Sequence, residues 1–343
     1  MAGHDEEAAL AVTIAAIRPI DPDTYARHRL HCDERAWLES NCYIDVWLEV
    51  LHALGLEPLA CAAFTLGIDF EGDQWTFFKP PLTELRYLYG LEVQELTVYR
   101  PLIEHVVEQL GQKKLVLTEI DSFFLPDTAA TDYRRNHVKT TIAIQEIDVD
   151  ARRLGYFHNT GYHVLDGEDF ADVFALGRPH DPTVLPLFAE FVRLGRARAL
   201  PTPQLVERSL ILLRGHLEYL PANNPVERFA ARFGEDVERL RDEGLEPYHL
   251  YAFATLRQLG AGFELAASYL EWLGESGVDG LGVAARHCGT ISSTAKSLIL
   301  KGARAVNGRR PLEVAPMMQT LSSAWEGVMS ELAPRYGGHS VRG

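Results

Sequence analysis

Three side chains of the kinds used in nucleophilic catalysis lie in the first half of the chain: Cys42, His137 and Asn159. A thiolate is a strong nucleophile, and an imidazole accepts and returns protons near neutral pH. An amide or carboxylate beside the imidazole can hold it in one orientation. These residue types indicate a catalytic site in which Cys42 is the candidate nucleophile and His137 and Asn159 supply the imidazole and the amide.

Cys42 lies where a helix is expected to begin. Ser40 or Asn41 can cap this helix, and Gly55 and Pro58 end it. The positive end of the helix dipole favours a thiolate at Cys42, and a nearby imidazolium favours it further. The alternative is a small buried apolar residue, which is the commonest role of a free cysteine. The apolar stripe of the helix is Ile44, Trp47, Leu48, Leu51 and Leu54.

The segment that carries His137 and Asn159 has the pattern of a β-hairpin. Apolar and β-branched residues recur from His137 to Ile144 and again from Leu154 to Phe157, with the polar residues 148–153 between them. Residues opposed across an antiparallel pair lie about 5 Å apart, so His137 and Asn159 can face one another. A purely structural histidine is the alternative, and the adjacent His158 leaves the register open by one residue.

Other segments predict the elements around these residues. We expect strands at 58–67 and 114–126 and helices at 82–89 and 101–111. Asp121 interrupts the apolar run 114–126, and an acid in such a run usually has a specific partner. After Asp166 the composition changes, and helical apolar spacing follows in six segments: 180–195, 203–220, 224–246, 247–274, 278–306 and 311–332.

Composition and charge exclude several classes of protein. The net charge of −15 argues against nonspecific binding of nucleic acid. No apolar run is long enough to span a membrane, and the acidic N-terminus is unlike a secretory signal, so we expect a cytoplasmic protein without membrane partners. The four cysteines lack metal-ligand spacing, so we expect no metal site. We also expect no cofactor. Residues 290–343 hold seven basic and three acidic side chains, and this local charge of +4 includes Arg304, Arg309 and Arg310.

Four short motifs resemble a known family. They are N-C-Y-I-D-V-W at 41–47, D-S-F-F-L-P-D-T at 121–128, Y-R-R-N-H at 133–137 and Y-F-H-N at 156–159. The chain is similar over nearly its whole length to the bacterial domain-of-unknown-function 1839 family. More distantly, the layout of residues 30–170 resembles the N-terminal domain of butirosin-biosynthesis acyltransferases, which are similar to papain-like and bacteriocin-processing cysteine peptidases.

The resemblance implies an α+β chain with a papain-like N-terminal domain and an all-α C-terminal domain. We therefore expect an extension at 1–29, a catalytic domain at 30–177, a helical domain at 178–335 and a disordered tail at 336–343. Relatives of this kind transfer an acyl group from a carrier-protein thioester to an amine through an enzyme cysteine. The implied partners are a carrier protein, whose phosphopantetheine arm is part of the substrate, and an amino-acid:carrier-protein ligase.

The resemblance also assigns roles to residues. Cys42, His137 and Asn159 match the triad, while Asn41, Asp121 and Asp127 are the candidates for contacts with the oxyanion or the substrate. Ala36 stands where papain relatives carry a glutamine that donates to the oxyanion. The basic segment with Arg304, Arg309 and Arg310 is the candidate docking face for an acidic carrier. The alternatives are a cysteine hydrolase, such as a peptidase, amidase or thioesterase, and an inactive carrier-binding module.

Overall fold

A computed structural model describes residues 13–32, 35–178, 185–221 and 223–337. Residues 338–343 of the expected tail lie outside the described residues, as do residues 179–184 at the expected domain boundary. Within the described part, no helix has both the length and the apolar character needed to cross a membrane.

The described residues form seven strands and ten α-helices, named in chain order. The strands are β1 (Ile14–Ala15), β2 (Glu92–Glu95), β3 (Lys114–Asp121), β4 (Lys139–Asp148), β5 (Arg153–His158), β6 (Gly161–Asp166) and β7 (Ala189–Arg193). The helices are α1 (Cys42–Ala53), α2 (Leu82–Tyr89), α3 (Leu102–Gly111), α4 (Gly167–Val173), α5 (Thr202–Glu218), α6 (Pro225–Glu243), α7 (Leu245–Ala252), α8 (Gln258–Glu275), α9 (Gly282–Asn307) and α10 (Ala315–Tyr336).

The chain divides into two compact units, each built from discontinuous segments. Unit 1 takes its described residues from Met1–His28, Asp45–Leu54 and Leu91–Ala197. Unit 2 takes them from Arg29–Ile44, Gly55–Gly90 and Arg198–Gly343. All seven strands belong to unit 1, and helices α5 to α10 belong to unit 2. The expectation of a mixed α+β chain with a helical C-terminal region is confirmed.

Unit 1 is organised around one antiparallel sheet. Its strands run in the order β2-β7-β3-β4-β5-β6, and β1 pairs with β4. Strand β4 is central because β3 and β5 pair with its two edges. Val106 and Leu110 of α3 pack against Val116 and Ile142 of the sheet, and all four side chains are buried. The predicted hairpin is confirmed, since β4 and β5 pair antiparallel across residues 149–152.

The expected strand at 58–67 is wrong, because Pro58–Gly67 forms a 3₁₀ helix. Pro58 lies in its first turn, where proline is tolerated, and the Glu57 carboxylate accepts a hydrogen bond from the Leu59 N–H at 3.0 Å. Nine of its ten residues are buried, so the apolar run reflected burial rather than strand structure. A short apolar run does not by itself distinguish a strand from a buried helix.

The helix expected at 180–195 is also wrong. Ala189–Arg193 instead forms β7, which pairs with β2 on one side and β3 on the other. Its residues, A-E-F-V-R, show no strict alternation of apolar and polar side chains, and five residues are too few to distinguish a strand period from a helical one. Backbone hydrogen bonds to two neighbouring strands outweigh the weak helical pattern.

Candidate functional site

Asp121 links the end of a strand to a histidine in unit 1. It is the last residue of β3, and one oxygen of its carboxylate (Oδ1) accepts a hydrogen bond from the Phe123 N–H at 3.0 Å, which caps the 3₁₀ turn Ser122–Phe124. Its other oxygen (Oδ2) lies 2.6 Å from Nδ1 of His137. The specific partner expected for Asp121 is therefore His137.

His137 presents one edge of its ring to solvent. The ring stacks on Phe123 with centroids 4.3 Å apart and planes 9° from parallel. The side chain is nevertheless 68% exposed. When Nδ1–H donates to Asp121, the lone pair lies on Nε2, the nitrogen that can accept a proton from a substrate or a nucleophile. A carboxylate that holds an accessible imidazole in this tautomer is the arrangement of a general base.

A second histidine–carboxylate pair is buried in the same unit. Nδ1 of His158 lies 2.5 Å from Asp127 Oδ2, and Nε2 lies 2.8 Å from the hydroxyl oxygen of Thr140. The Tyr156 hydroxyl donates to Asp127 Oδ1 at 2.5 Å. His158 is only 1% exposed, so both of its ring nitrogens are engaged inside the protein. The spacing of these residues along the chain contains no signal that predicts this network.

Asp127 stays ionised in this network. Burial by itself raises the pKa of its carboxyl, but the hydrogen bond and charge of His158, with smaller effects of His163 and Tyr156, bring the pKa below its ordinary value. Burial raises the pKa of the Tyr156 hydroxyl well above its ordinary value, and the charge of Asp127 adds to the effect. An ionised carboxylate only accepts hydrogen bonds, so Asp127 ties residues 126–128 to β5 and has no proton to donate to an oxyanion.

Asn159 lies in the two-residue turn between β5 and β6, where its φ angle is 46°. Asparagine is one of the few residues other than glycine that adopts this left-handed conformation readily. The β4–β5 pairing places His158 opposite Ile142, whereas His137 precedes the start of β4 by two residues. The β4–β5 pairing therefore does not place Asn159 opposite His137. The orienting role of Asn159 stays a prediction.

Cys42 begins α1, as the sequence predicted. In unit 2, the side-chain oxygen of Asn41 accepts a hydrogen bond from the Ile44 N–H at 3.0 Å and so caps the helix. The Asn41 amide donates to the Phe78 carbonyl oxygen at 2.9 Å. Asn41 is buried, and one hydrogen of its amide is used in this bond, which leaves the second as a candidate donor to an oxyanion.

The four cysteines differ in exposure. Cys61 and Cys288 are fully buried. Burial raises the pKa of the Cys61 thiol to about 12, and it also raises the pKa of the Cys288 thiol. Cys32 and Cys42 are partly exposed, and none of the four is in a disulfide. Of the two accessible thiols, Cys42 is the one that begins an α-helix. It is therefore the better candidate for a nucleophile.

The remaining candidate residues lie in unit 2. Arg304 is exposed on α9, while Arg309 and Arg310 are exposed in the turn that follows this helix. Arg309 has a φ angle of 49°. Over the described ranges, no group of three or more histidine, cysteine or acidic side chains is arranged to hold a metal ion.

Comparison with known proteins yields two adjacent matches. The model of the DUF1839 N-terminal domain matches residues 26–194, and that of the DUF1839 C-terminal domain matches residues 202–334. No curated protein matches the chain.

Proposed function

Because the chain belongs to the DUF1839 family across both matched segments, we propose one function for the whole chain, a cysteine-dependent acyl or aminoacyl transferase. The acyl group comes from a carrier-protein thioester, is held on Cys42 and passes to an acceptor amine. In this proposal the sheet of unit 1 is a papain-like domain, and the amino-acid:carrier-protein ligase supplies the loaded carrier.

The His137–Asp121 pair is the observation that carries the proposal. The 2.6 Å contact orients the imidazole, and the 68% exposed side chain keeps Nε2 accessible. In the proposed site Asp121 is the orienting group, a role that the family resemblance implied for Asn159. The buried His158–Asp127 pair supports the segment after Asp121 and takes no part in proton transfer.

The proposed mechanism has two half-reactions. In the first, His137 accepts the Cys42 thiol proton, the thiolate attacks the thioester carbonyl carbon, and the phosphopantetheine thiolate leaves and takes the proton. In the second, the acceptor amine attacks the Cys42 thioester, His137 accepts a proton from the nitrogen, and Cys42 leaves and is reprotonated. The Asn41 amide and backbone N–H groups at the start of α1 are the proposed donors to the oxyanion.

A thioesterase is the second candidate function, and the exposure of His137 favours it. Water can reach an exposed imidazole and compete with an amine for the acyl-enzyme. The two activities differ in the lifetime of the acyl-Cys42 adduct. An adduct that persists until an amine is added indicates a transferase, and an adduct that turns over rapidly without an amine indicates a hydrolase.

Intact mass spectrometry tests the proposal directly. The protein is mixed with an aminoacyl-loaded carrier protein or with a small aminoacyl-pantetheine thioester. We expect an acyl adduct that Cys42→Ser abolishes and that the matched variant Cys32→Ser retains. His137→Gln should slow adduct formation by about 10²- to 10⁴-fold, the usual contribution of a general base. His249→Gln, at an exposed histidine of α7, is the matched control and should react at the wild-type rate.

Three results would contradict the proposal. An adduct on Cys32 would remove Cys42 as the nucleophile, and a wild-type rate in His137→Gln would remove His137 as the base. Carrier binding with no adduct on any cysteine would indicate a binding module without catalysis.

A further inference from the structure

The segment that leads into Cys42 is held at its beginning by one carboxylate of unit 2. Glu264 of α8 accepts hydrogen bonds from the backbone N–H groups of Ala36 at 2.9 Å and Trp37 at 3.1 Å. Arg35 pairs with the same carboxylate at 3.1 Å. The ammonium group of Lys296 on α9 donates a hydrogen bond to the backbone carbonyl oxygen of Ala36. The backbone polar groups at the start of the segment are therefore bound by side chains of the C-terminal helices.

A single guanidinium holds the end of the same segment. Arg257 donates through Nε to the Ser40 carbonyl oxygen at 3.2 Å and through Nη2 to the Glu39 carbonyl oxygen at 3.1 Å. It is the last residue of the π-helical turn Phe253–Arg257, and it lies over the Phe253 ring at 4.9 Å. A π-helical turn changes the direction in which side chains leave a helix, and such turns are frequent at functional sites.

The side chain of Trp37 also anchors the start of the segment. Its indole N–H donates to the Ser292 hydroxyl of α9 at 2.9 Å. On the other side the ring lies against the backbone of Gly260 on α8, where an added Cβ would be 2.4 Å from Trp37 Cζ2. Only glycine at 260 allows this approach.

We propose that Arg257, Glu264 and Gly260 are positioning residues for Cys42. They act through the backbone of residues 36–41 and hold Asn41 where it caps the first turn of α1. This inference rests on the proposed function, since it concerns the placement of its nucleophile. It gives the C-terminal helices a part in the chemistry without any contact with the substrate.

Two effects of misplacement are expected at Cys42. A thiolate displaced from the first turn of α1 loses its favourable interaction with the N-terminus of the helix, which should slow its alkylation about two- to five-fold. Acyl transfer depends on exact placement of the nucleophile, and a displacement of about 1 Å can cost on the order of 10²-fold in rate. A role limited to stability would change neither rate in the folded protein.

The test compares two glycine substitutions on one helix. Gly260→Ala forces Trp37 to move, whereas the matched control Gly274→Ala places its Cβ in open space on α8. Iodoacetamide labelling of the folded full-length protein at neutral pH is followed by peptide mapping, with Cys32 as the internal reference. We expect Gly260→Ala to slow both the labelling of Cys42 and its acylation, and Gly274→Ala to follow the wild type.

Arg257 provides an independent variant in case Gly260→Ala fails to fold. Arg257→Ala should slow Cys42 labelling as Gly260→Ala does. Arg257→Lys should restore part of the rate because lysine keeps the positive charge, but not all of it because lysine lacks the planar group that donates to both carbonyl oxygens. Arg239→Ala, at an exposed arginine of α6, is the matched control. Wild-type Cys42 labelling in both Gly260→Ala and Arg257→Ala would overturn the inference.

Hydrogen exchange on the wild-type protein needs no variant. The amides of Ala36 and Trp37 should exchange slowly because Glu264 accepts both, and rapid exchange would overturn the inference. The outcomes also separate this inference from the proposed function. If no thioester acylates the wild type but Cys42 labelling still depends on Gly260 and Arg257, the acyltransferase proposal fails and the positioning role stands.

Discussion

Replacing Asp127 by asparagine should destabilise unit 1 and should do so only where the carboxylate is ionised. The substitution keeps the shape of the side chain but removes its charge. Asp127 accepts from Tyr156 at 2.5 Å and from His158 at 2.5 Å, and its side chain is only 8% exposed. An asparagine has one carbonyl oxygen, so its NH₂ group must face one of these two donors.

The magnitude follows from the bonds that are changed. A hydrogen bond to a charged group contributes about 1.5–3 kcal/mol, and a buried donor left without an acceptor adds to the loss. We therefore expect Asp127→Asn to lower the free energy of unfolding by about 2–4 kcal/mol at pH 7. That is a large share of the roughly 5–15 kcal/mol typical of a folded domain.

The pH dependence follows from the direction of the pKa shift of Asp127. Its pKa is lowered in the folded protein, so the unfolded chain takes up this proton at a higher pH than the native state. The contribution is complete above the unfolded pKa, about 3.9, and is lost as the pH falls through the folded value. The wild type and Asp127→Asn should therefore converge in stability below about pH 4.

Urea denaturation from pH 7 to pH 3, with hydrogen exchange of the β5 amides, measures the loss in unit 1 itself. Asp150→Asn, at an exposed acid in the β4–β5 turn, is the matched control and should stay within about 0.5 kcal/mol of the wild type. Tyr156→Phe should be non-additive with Asp127→Asn, because both remove the same bond. A difference below about 0.5 kcal/mol at pH 7, or one that persists unchanged at pH 3, would refute the reasoning.

The remaining predictions concern the partly buried His163, the β5–β6 turn and the basic segment. Burial lowers the pKa of His163, with Asp127 opposing the effect, so the unfolded chain binds this proton first and wild-type stability should fall as the pH drops below about 6.5. His163→Gln should flatten that part of the curve in urea denaturation. Asn159→Gly should keep both the fold and acyl transfer because glycine accepts a positive φ; loss of transfer in a folded variant would make Asn159 the orienting group. Charge reversal of Arg304, Arg309 and Arg310 to Glu should slow acylation of Cys42 by the loaded carrier but not by a small thioester. If the variant and the wild type react with the loaded carrier at the same rate, the carrier docks elsewhere.

Much of the local structure could be predicted from the sequence. The Asn41 cap, the start of α1 at Cys42 and the β4–β5 hairpin are present as expected. Gly90 ends α2 with a φ angle of 76°, the conformation a glycine after a helix predicts. These features depend on contacts between residues close in the chain, and their signals are therefore complete within a short window of sequence.

Only the tertiary structure decided which histidine pairs with which acid. Asp121 and His137 are 16 residues apart, and Asp127 and His158 are 31 apart, so no local period relates the members of either pair. The fold of unit 1 brings each pair together, and it leaves one exposed and the other buried. The same holds for β7 and for the 3₁₀ helix Pro58–Gly67, where pairing with distant strands or burial in unit 2 outweighs the local pattern. The sequence alone determined the kinds of chemical groups and the local elements that carry them, whereas long-range pairing and burial determined which of those groups can react.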